Sequence, residues 1–389
     1  MKVKAKQLIV FYMKDGKSAS SSYYRIIQYT QGIEISNKSR ITIRVLAPDS
    51  MTKIRYDIIG SQKRAIVQFA VKALYALTIA MRGFFFMMCD ALRKPTCTIV
   101  LRSLQPHTFV APVSLAYRFL LQNSRRVVWD FDDDIFCSSE ISSGEARLLC
   151  NMANTIVVTH TGLSDLLPGD AHDRIALLPT TDGDFASFDL SMWDAERSQS
   201  ITSELRLVWV ASSAGLANLE FVSNKLDEAA VRVKETTGKN VVLTVVCNLP
   251  LNHEFEHLSM VYVPWSRSAA IEEIRKAHVG IMPLIDSAFS RGKGAFKVVQ
   301  YMAGGLPSIA SSTGFNSEVV LNGVTGFLIN EEESRNGWAD ALEKLASDSN
   351  FWSDMGKAAF KRWESDYSYA VNLEKWQSFI LGNDDHDHA

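Results

Sequence analysis

Short runs of β-branched and other apolar residues alternate with longer stretches of helical periodicity along almost the whole chain. This alternation is typical of βαβ units, in which helices join parallel strands and cover both faces of the sheet. The pattern predicts two sets of strands separated by a polar stretch. The predicted strands are residues 7–12, 42–46, 98–101, 126–130, 155–159, 175–178, 205–210, 241–246, 260–263, 279–283, 307–310 and 326–329.

The polar stretch at residues 180–202 is rich in turn-forming residues, and we interpret it as a linker between two domains. The N-terminal domain then covers residues 1–180 and the C-terminal domain residues 203–350. Each is predicted to be a doubly wound, Rossmann-like α/β domain. Residues 351–381 are helical in pattern and rich in aromatic side chains. Such a helix must bury one face, so we expect it to cross back onto the first domain.

Composition and charge argue against several classes of protein. The length of 389 residues suits two domains, and the formal net charge of −2 argues against a nucleic-acid-binding protein. The five cysteines include no C-x-x-C pair, which favours reduced thiols in the cytoplasm over a disulfide framework or a zinc site. The apolar run near the N-terminus is too short for a signal peptide.

One apolar stretch, residues 65–92, leaves three interpretations open. It is interrupted by Lys72, Arg82 and Gly83, and basic residues flank it on both sides. It fits a buried helix of an α/β domain, an amphipathic helix in the plane of an anionic membrane, or a transmembrane helix.

A glycine-rich basic turn follows the predicted strand 279–283 and opens a helix at about residue 295. The N–H groups and the dipole of a helix start favour a phosphate. Arg291, Lys293 and Lys297 add positive charge, and Lys297 is expected one helical turn after Lys293. Three cations around one helix start repel one another unless an anion is nearby. We therefore predict an anion site here, with a solvated basic turn as the alternative.

A second candidate phosphate loop contains Ser212 and Ser213, which follow the predicted strand 205–210 and precede a helix. Small residues let a phosphate approach the backbone closely. Serines before a helix are also ordinary N-caps, so both interpretations stay open.

Residues 205–380 resemble the nucleotide-binding half of GT-B glycosyltransferases, and specifically the family 4 (group 1) enzymes of bacterial surface-polysaccharide pathways. The motifs that carry this resemblance are LRLVWVASSAGLANL, VPWS, GIMPL and FSRGKGAFKVVQYMAGGLPSIASSTGFNSEVVLNGVTGFLI. The first half is similar through IVLRSL, VVWDFDDDIF, TIVVTHTGLSDLL and LLPTTD. The fold implied is GT-B: two Rossmann-like domains that face a central cleft, with a C-terminal helix that crosses back. The first domain would bind the acceptor and the second the nucleotide sugar.

The resemblance assigns roles to residues of the second half. The residues implied to bind the donor are Ser212, Ser213, Arg291, Lys293, Lys297, Gln300 and Glu318. The cations would neutralise the donor diphosphate, and Glu318 lies in a loop that often borders the donor. Three positions depart from the family pattern. The usual pair of glutamates falls at Gly292 and Gln300, and His278 stands where relatives tend to have an aspartate.

Four carboxylates lie within five residues at the carboxyl end of the predicted strand 126–130: they belong to Asp130, Asp132, Asp133 and Asp134. So much like charge requires compensation by solvent, a cation or a helix start. On the acceptor side of a GT-B enzyme, Asp132 or Asp133 would bind sugar hydroxyls. A solvated or capping loop and a metal or phosphoaspartate site are the alternatives. Arg102 and Arg25 lie near strand ends and are candidates to hold an anionic acceptor or to balance the aspartates.

His160 and His107 follow predicted strands and are candidate proton carriers, although a lone histidine is often structural. The candidate catalytic residues are therefore Arg291, Lys297, Asp132, Asp133 and His160. The resemblance implies a retaining reaction. Because the cations already balance the donor diphosphate, we expect no metal, and no cofactor other than the nucleotide-sugar substrate. The expected acceptor is a saccharide or lipid-linked saccharide, with the protein in the cytoplasm and in peripheral contact with the inner membrane.

Two other functions remain open. Because neither Gly292 nor Gln300 is acidic, the chain is alternatively an inactive GT-B module that binds a nucleotide sugar or a partner enzyme. The D-x-D sequence at Asp130 also suggests a phosphatase, although Asp134 is unusual for such a motif.

Overall fold

The computed structural model describes residues 7–17, 19–37, 39–59, 65–105, 111–188 and 190–381. The chain divides into two compact units. The first comprises the described parts of Met1–Pro179 and Asn372–Ala389, and the second comprises those of Thr180–Val371.

The first unit is built on a six-stranded parallel sheet with the order β2-β1-β3-β4-β5-β6. Its strands are β1 (Leu8–Met13), β2 (Arg40–Val45), β3 (Cys97–Leu101), β4 (Val127–Phe131), β5 (Thr155–Val158) and β6 (Ile175–Leu177). Strands β3, β4 and β5 are buried along their whole length, which explains why they read as unbroken apolar runs.

Helices cover this sheet. They are α1 (Ser20–Arg25), α2 (Thr30–Asn37), α3 (Asp49–Ile59), α4 (Ala65–Arg93), α5 (Ala111–Asn123), α6 (Ser143–Met152) and α7 (Thr161–Ser164), with 3-10 turns at Ile27–Tyr29 and Gly169–Arg174. A core cluster joins the sheet to α4 and α5 through side chains such as Trp129, Ile79 and Tyr117.

The second unit contains a second six-stranded parallel sheet, with the order β12-β11-β10-β7-β8-β9. Its strands are β7 (Glu204–Val210), β8 (Asn240–Cys247), β9 (Ser259–Pro264), β10 (Val279–Met282), β11 (Ser308–Ser311) and β12 (Gly326–Ile329). All twelve predicted strands are therefore confirmed, each within two residues at either end.

The helices of the second unit form a core on each face of its sheet. They are α8 (Leu190–Ser200), α9 (Leu216–Thr237), α10 (Arg267–Lys276), α11 (Ala288–Arg291), α12 (Phe296–Ala303), α13 (Asn316–Val319), α14 (Gly337–Ser347) and α15 (Ser349–Arg362), with 3-10 turns at Gly183–Ser187 and Ser213–Gly215 and a π-helical turn at Trp363–Tyr367.

The interpretation of residues 180–202 as a linker is wrong, because this segment folds onto the second unit. It forms a 3-10 turn and helix α8, in which Trp193 and Arg197 are buried. The Arg197 guanidinium donates to the carbonyl groups of Ile274, Arg275 and Gly304, at the C-terminal ends of α10 and α12. A buried cation there satisfies carbonyls that the helices leave unpaired. The polar residues of this segment therefore help to pack it onto the second unit and do not form a linker between two domains.

The last helix, α16 (Tyr369–Leu381), packs against the first unit, as predicted for the C-terminal crossover. Asn372 donates to the Pro179 carbonyl at 2.7 Å, and the Trp376 ring packs edge-on against Phe11. Helix α15, which the same prediction included, stays in the second unit.

Helix α4 is not the buried helix that was one of the three interpretations of residues 65–92. One stripe, which includes Tyr75, Ile79, Gly83 and Met87, is buried, while much of the opposite face is exposed. Among the described residues it is the one helix that is long and apolar enough to cross a membrane, by length and composition alone.

His278 predicts a pH dependence of stability for the second unit. It is fully buried; its Nδ1 accepts from the Arg206 N–H at 2.9 Å, and its Nε2 lies 2.9 Å from the Ser200 hydroxyl. Burial lowers the pKa of His278 from 6.5 to about 3. Between these two pH values the His278 side chain is protonated in the unfolded chain but neutral in the folded chain. The free energy of unfolding therefore falls as the pH drops from about 6.5 towards 3, by about 1.4 kcal/mol per pH unit.

Urea unfolding of the second unit at pH 7.5 and pH 5 checks this expectation. The variant His278→Asn keeps an acceptor for the Arg206 N–H but has no group to titrate, so its stability should change much less between the two pH values. An equal acid sensitivity in the variant and the parent protein would contradict the assignment.

Candidate functional site

The loop between β10 and α12 forms the predicted helix start. The four-residue helix α11 follows β10, and Ser287 caps it by accepting from the Ser290 N–H at 3.1 Å. Ala295 precedes α12 in a left-handed conformation, with φ 49°, and as an alanine it gives the helix no side-chain cap of its own. A left-handed alanine costs about 1–2 kcal/mol, and such local strain is concentrated at functional sites.

The structure changes the expected arrangement of the three cations. Arg291 lies at the end of α11 and forms an ion pair with Asp286, with contacts of 2.6 and 2.8 Å. Lys293 lies before the helix, with its ammonium group 4.6 Å from the centre of the Phe289 ring. The placement of Lys293 one helical turn before Lys297 is therefore wrong, because the helix begins only at Phe296. Asp286 also supplies a fixed anion that the repulsion argument did not include.

Lys297 is the second residue of α12 and is half-buried. Its position places it in the first turn, where the positive end of the helix dipole adds to its charge. Of the three predicted cations, Lys297 is the one that belongs to the helix start itself.

Hydrogen bonds join the loops at the carboxyl ends of the neighbouring strands. Asn248, after β8, accepts from the Ser213 N–H at 2.7 Å and donates to its hydroxyl at 3.1 Å. Asn218 accepts from the Ile285 N–H at 2.9 Å, and the Ser311 hydroxyl, at the end of β11, accepts from the Leu284 N–H at the same distance. The loops after β7, β8, β10 and β11 are thus held together at one edge of the sheet, where ligands of open α/β sheets bind.

Gly314 is required for the close approach of two of these loops. Its φ is +55°, and a Cβ atom there would lie 2.6 Å from the Arg291 carbonyl oxygen. Any side chain at this position would displace the backbone that carries Arg291.

Gln300 is 3% exposed, and its amide nitrogen donates to the Asp182 carboxylate at 2.8 Å. Asp182 is itself buried and accepts from the Asp184 N–H. A glutamate at position 300 would place two carboxylates in contact, and their like charges would repel. The glutamine avoids this repulsion because its amide group donates a hydrogen bond to Asp182. Asp182 lies in the supposed linker, and sequence reasoning missed it.

The other predicted donor residues lie at the same edge with different surroundings. Ser212 is exposed and precedes the 3-10 turn that opens α9. Glu318 lies in α13 with an exposed side chain, while its carbonyl accepts from Arg362 at 2.8 Å.

In the first unit, Asp130 and Arg25 form a fully buried ion pair. The Arg25 Nε donates to Asp130 at 3.0 Å, and Nη2 donates to the other carboxylate oxygen. Arg25 also donates to the Leu178 carbonyl. The side chains are 1% and 0% exposed. Asp130 therefore holds the strand ends together and offers no open oxygen for a phosphoaspartate.

Arg102 compensates most of the remaining negative charge after β4. It donates to Asp132 at 2.5 Å and to Glu140 at 2.8 Å, and it contacts Asp133 at 3.4 Å. Its backbone is left-handed, with φ 56°, and its carbonyl accepts from Trp129. Burial tends to raise the pKa of Glu140, but Arg102 and Lys14 outweigh it and lower the value. The predicted compensation of the aspartates by Arg25 and Arg102 is present.

The four aspartates differ in what they can still bind. Asp134 is buried and accepts from the N–H groups of Phe136 and Cys137, so it holds a turn. Burial raises the pKa of Asp132, against the opposing effect of Arg102. Asp133 is the most open, with 39% of its side chain exposed. Asp133 is thus the aspartate best placed to meet an external group.

Glu145 is a buried carboxylate that sequence reasoning missed. It accepts from the N–H groups of Leu104 and Gln105 and from the Ser103 hydroxyl. Burial raises the pKa of Glu145 to about 7 despite these donors. It fixes the loop that follows β3, next to Arg102. In the sequence, the one feature that could have indicated Glu145 is its position three residues after Ser142, the N-cap of α6.

Of the two histidines, His160 follows β5 and precedes α7, and it is 2% exposed. Its burial fits a structural role at least as well as proton transfer. His107 lies outside the described residues.

Comparison with known proteins agrees with this geometry. Residues 206–348 match the family model described as Glycosyl transferases group 1. Sucrose synthase 6 of Arabidopsis thaliana is 31% identical over 100 residues, which is 25% of this chain and 10% of the relative. The D-inositol 3-phosphate glycosyltransferase of Paenarthrobacter aurescens is 31% identical over 111 residues, 28% of this chain and 26% of the relative. The chain thus aligns with only 10% and 26% of the length of these two curated relatives.

Solved structures resemble the chain over nearly its whole length. Anabaena Alr3699/HepE, in complex with UDP-glucose, has a TM-score of 0.61 at 11% identity and covers 96% of this chain and 99% of its own. A glycosyltransferase from Rickettsia africae has a TM-score of 0.60 at 12% identity, with 97% and 99% coverage. The resemblance to GT-B glycosyltransferases is confirmed, and the fold is GT-B.

Proposed function

We propose that this chain, a GT-B protein whose second unit carries the group 1 glycosyl transferase match, transfers a sugar from a nucleoside-diphosphate donor to a saccharide acceptor. The observation that carries the proposal is the start of α12. It combines a strained left-handed Ala295, the N-terminus of α12 and Lys297 at the ligand-binding edge of a parallel sheet. Backbone N–H groups and a cation at one point suit a diphosphate.

In this proposal the helix start acts on the leaving group. The bond between the anomeric carbon and the donor phosphate breaks, and the acceptor hydroxyl oxygen bonds to that carbon. Positive charge grows on the sugar ring and negative charge on the departing phosphate. Lys297 and the N–H groups of α12 stabilise that phosphate more in the transition state than in the ground state. Lys293 and Arg291 reach the same phosphates once they leave Phe289 and Asp286.

We propose retention of configuration without a metal ion. The departing phosphate oxygen takes the proton of the acceptor hydroxyl, so no strong protein base is needed. In the first unit, Asp133 and the Arg102 cluster are the groups proposed to contact acceptor hydroxyls. The five cysteines are free thiols, and we propose a reducing, cytoplasmic setting for the reaction.

Donor binding and turnover test the proposal separately. A nucleoside diphosphate at 100 times its Kd should add about 2.7 kcal/mol to stability, whereas the nucleoside alone should add little. UDP is the first nucleotide to try, because Alr3699/HepE was solved with UDP and UDP-glucose. Release of nucleoside diphosphate from the matching donor, in the presence of acceptor and with EDTA added, is then the expected activity. Loss of that release with EDTA would contradict the metal-independent reaction.

One observation favours a second function, an inactive module that binds a nucleotide sugar. Position 292 is a glycine, and the Gln300 amide is occupied by Asp182, so neither position offers a carboxylate to the donor. Such a module would show the thermal shift with the nucleoside diphosphate but no turnover with any donor and acceptor.

A further inference from the structure

Helices α4 and α5 present a large apolar surface that the described residues leave exposed. We call it the α4–α5 surface. Its exposed apolar side chains are Ile66, Val67, Phe69, Leu74, Leu77, Met81, Phe84, Phe85, Leu92, Leu115 and Phe119. Isolated exposed apolar residues are ordinary, but a contiguous group of this size marks an interaction site. The glycosyl-transfer proposal makes no use of it.

The opposite side of α4 is fixed in the first unit. Tyr75 donates to Asp15 at 2.7 Å. At the other end, the buried Asp90 accepts from Tyr12 at 2.9 Å and from Arg44 at 2.7 Å. A transmembrane helix would have to leave all these partners and expose the core. The 29-residue helix, about 43 Å long, therefore meets its partner along its side and not end-on.

The charges around the surface identify the partner. Lys72, Arg93 and Arg118 are exposed on these two helices, and Arg93 contacts Asp90 at 3.5 Å. Asp90 is the only acidic residue of α4, it is buried, and α5 has none. A second protein surface of ordinary composition gains nothing from such a one-sided charge. An anionic lipid surface matches it, because acyl chains accept the apolar side chains and headgroups accept the cations.

A cleft beside α5 supports the same partner. Helices α5 and α6 border an open cleft of about 190 Å³, whose described lining includes Arg118, Gln122, Arg147 and Asn151 and no carboxylate. Arg118 and Gln122 follow Leu115 at helical spacing, so the cleft lies at the border of the α4–α5 surface. Two guanidinium groups with two amides are suited to the phosphate of a lipid headgroup.

We propose that the α4–α5 surface binds the first unit to an anionic lipid bilayer, with α4 lying in the plane of the interface. Phe69, Phe85 and the leucines enter the acyl boundary, while the lysine and arginine side chains reach the headgroups. The inference goes beyond sugar transfer and needs no donor or acceptor to be tested.

Flotation of the full chain with vesicles tests this proposal. With phosphatidylcholine vesicles that contain 30 mol% phosphatidylglycerol (about a third anionic lipid), we expect binding at least about tenfold tighter than with phosphatidylcholine alone, and weaker binding in high salt. The variant Leu77→Glu/Phe85→Glu should lose about tenfold or more, since it places two charges in the interface. Both side chains are more than half exposed, at 56% and 63%, so the fold should tolerate the change.

The matched control is Met192→Glu/Val324→Glu, which changes two apolar side chains of similar exposure, 65% and 52%, in the second unit. It should float like the parent chain. Absence of flotation with anionic vesicles, or equal flotation of the Leu77→Glu/Phe85→Glu variant, would overturn the proposal. Concentration-dependent dimers without lipid binding, lost in that variant, would also overturn it and assign the surface to a second copy of the chain.

Discussion

Replacement of Lys297 by alanine is expected to lower kcat/KM for the nucleotide-sugar donor by about a hundredfold, because it removes a charge-assisted contact to the leaving phosphate. The effect should appear in turnover as well as in donor affinity, since charge on the phosphate grows as the sugar bond breaks. Steady-state kinetics with the donor identified by the thermal-shift screen measures both.

Two controls separate this role from a general loss of charge. Lys297→Arg keeps the cation and should retain far more activity than Lys297→Ala. Lys357→Ala removes an exposed lysine of α15 that contacts Asp354 at 3.7 Å, and it should behave like the parent enzyme. A Lys297→Ala variant with full activity would refute the role given to the start of α12.

Removal of the Asp130 carboxylate is expected to have the largest effect on stability. In Asp130→Ala, the Arg25 guanidinium stays buried without its counter-ion, which costs about 3–5 kcal/mol. The double variant Arg25→Met/Asp130→Leu removes both charges and should recover most of that loss, since a buried ion pair is often no more stable than apolar residues of similar volume. Urea unfolding of the first unit measures the difference, with the exposed Asp173→Ala as control.

A further variant of the same residue, Asp130→Asn, decides the phosphatase alternative. If Asp130 were a phosphorylated nucleophile, Asp130→Asn would abolish magnesium-dependent phosphate release while the fold stayed intact. We expect no such release from the parent chain. For the stability prediction, a double variant Arg25→Met/Asp130→Leu that is as unstable as Asp130→Ala would contradict the assignment of the ion pair.

The strand pattern could be predicted because each buried parallel strand leaves a continuous apolar run in the sequence. Charge balance could also be predicted in part: four aspartates within five residues required compensation, and Arg25 and Arg102 provide much of it. Both inferences rest on local composition. The order of the strands and the partners of each charge did not follow from it.

Other features depend on contacts between distant parts of the chain. Gln300 binds Asp182, which is 118 residues away, and no local pattern marks that pair. The polar, turn-rich composition of residues 180–202 predicted a linker between domains, because nothing in the sequence shows that three carbonyl groups accept from the Arg197 guanidinium. The left-handed Ala295 moved the start of α12 and so separated Lys293 from the helix. The first two cases concern a polar group whose partner lies far along the chain, whereas the third concerns the backbone conformation of a single residue.

The proposed sugar transfer depends on diphosphate binding at the start of α12, and a crystal structure of the chain with a bound nucleoside diphosphate tests this binding most directly. We predict phosphate oxygens within hydrogen-bond distance, about 2.7–3.2 Å, of the first N–H groups of α12 and of the Lys297 ammonium group. A nucleotide bound elsewhere, with Lys297 directed to solvent and the helix start vacant, would contradict the account.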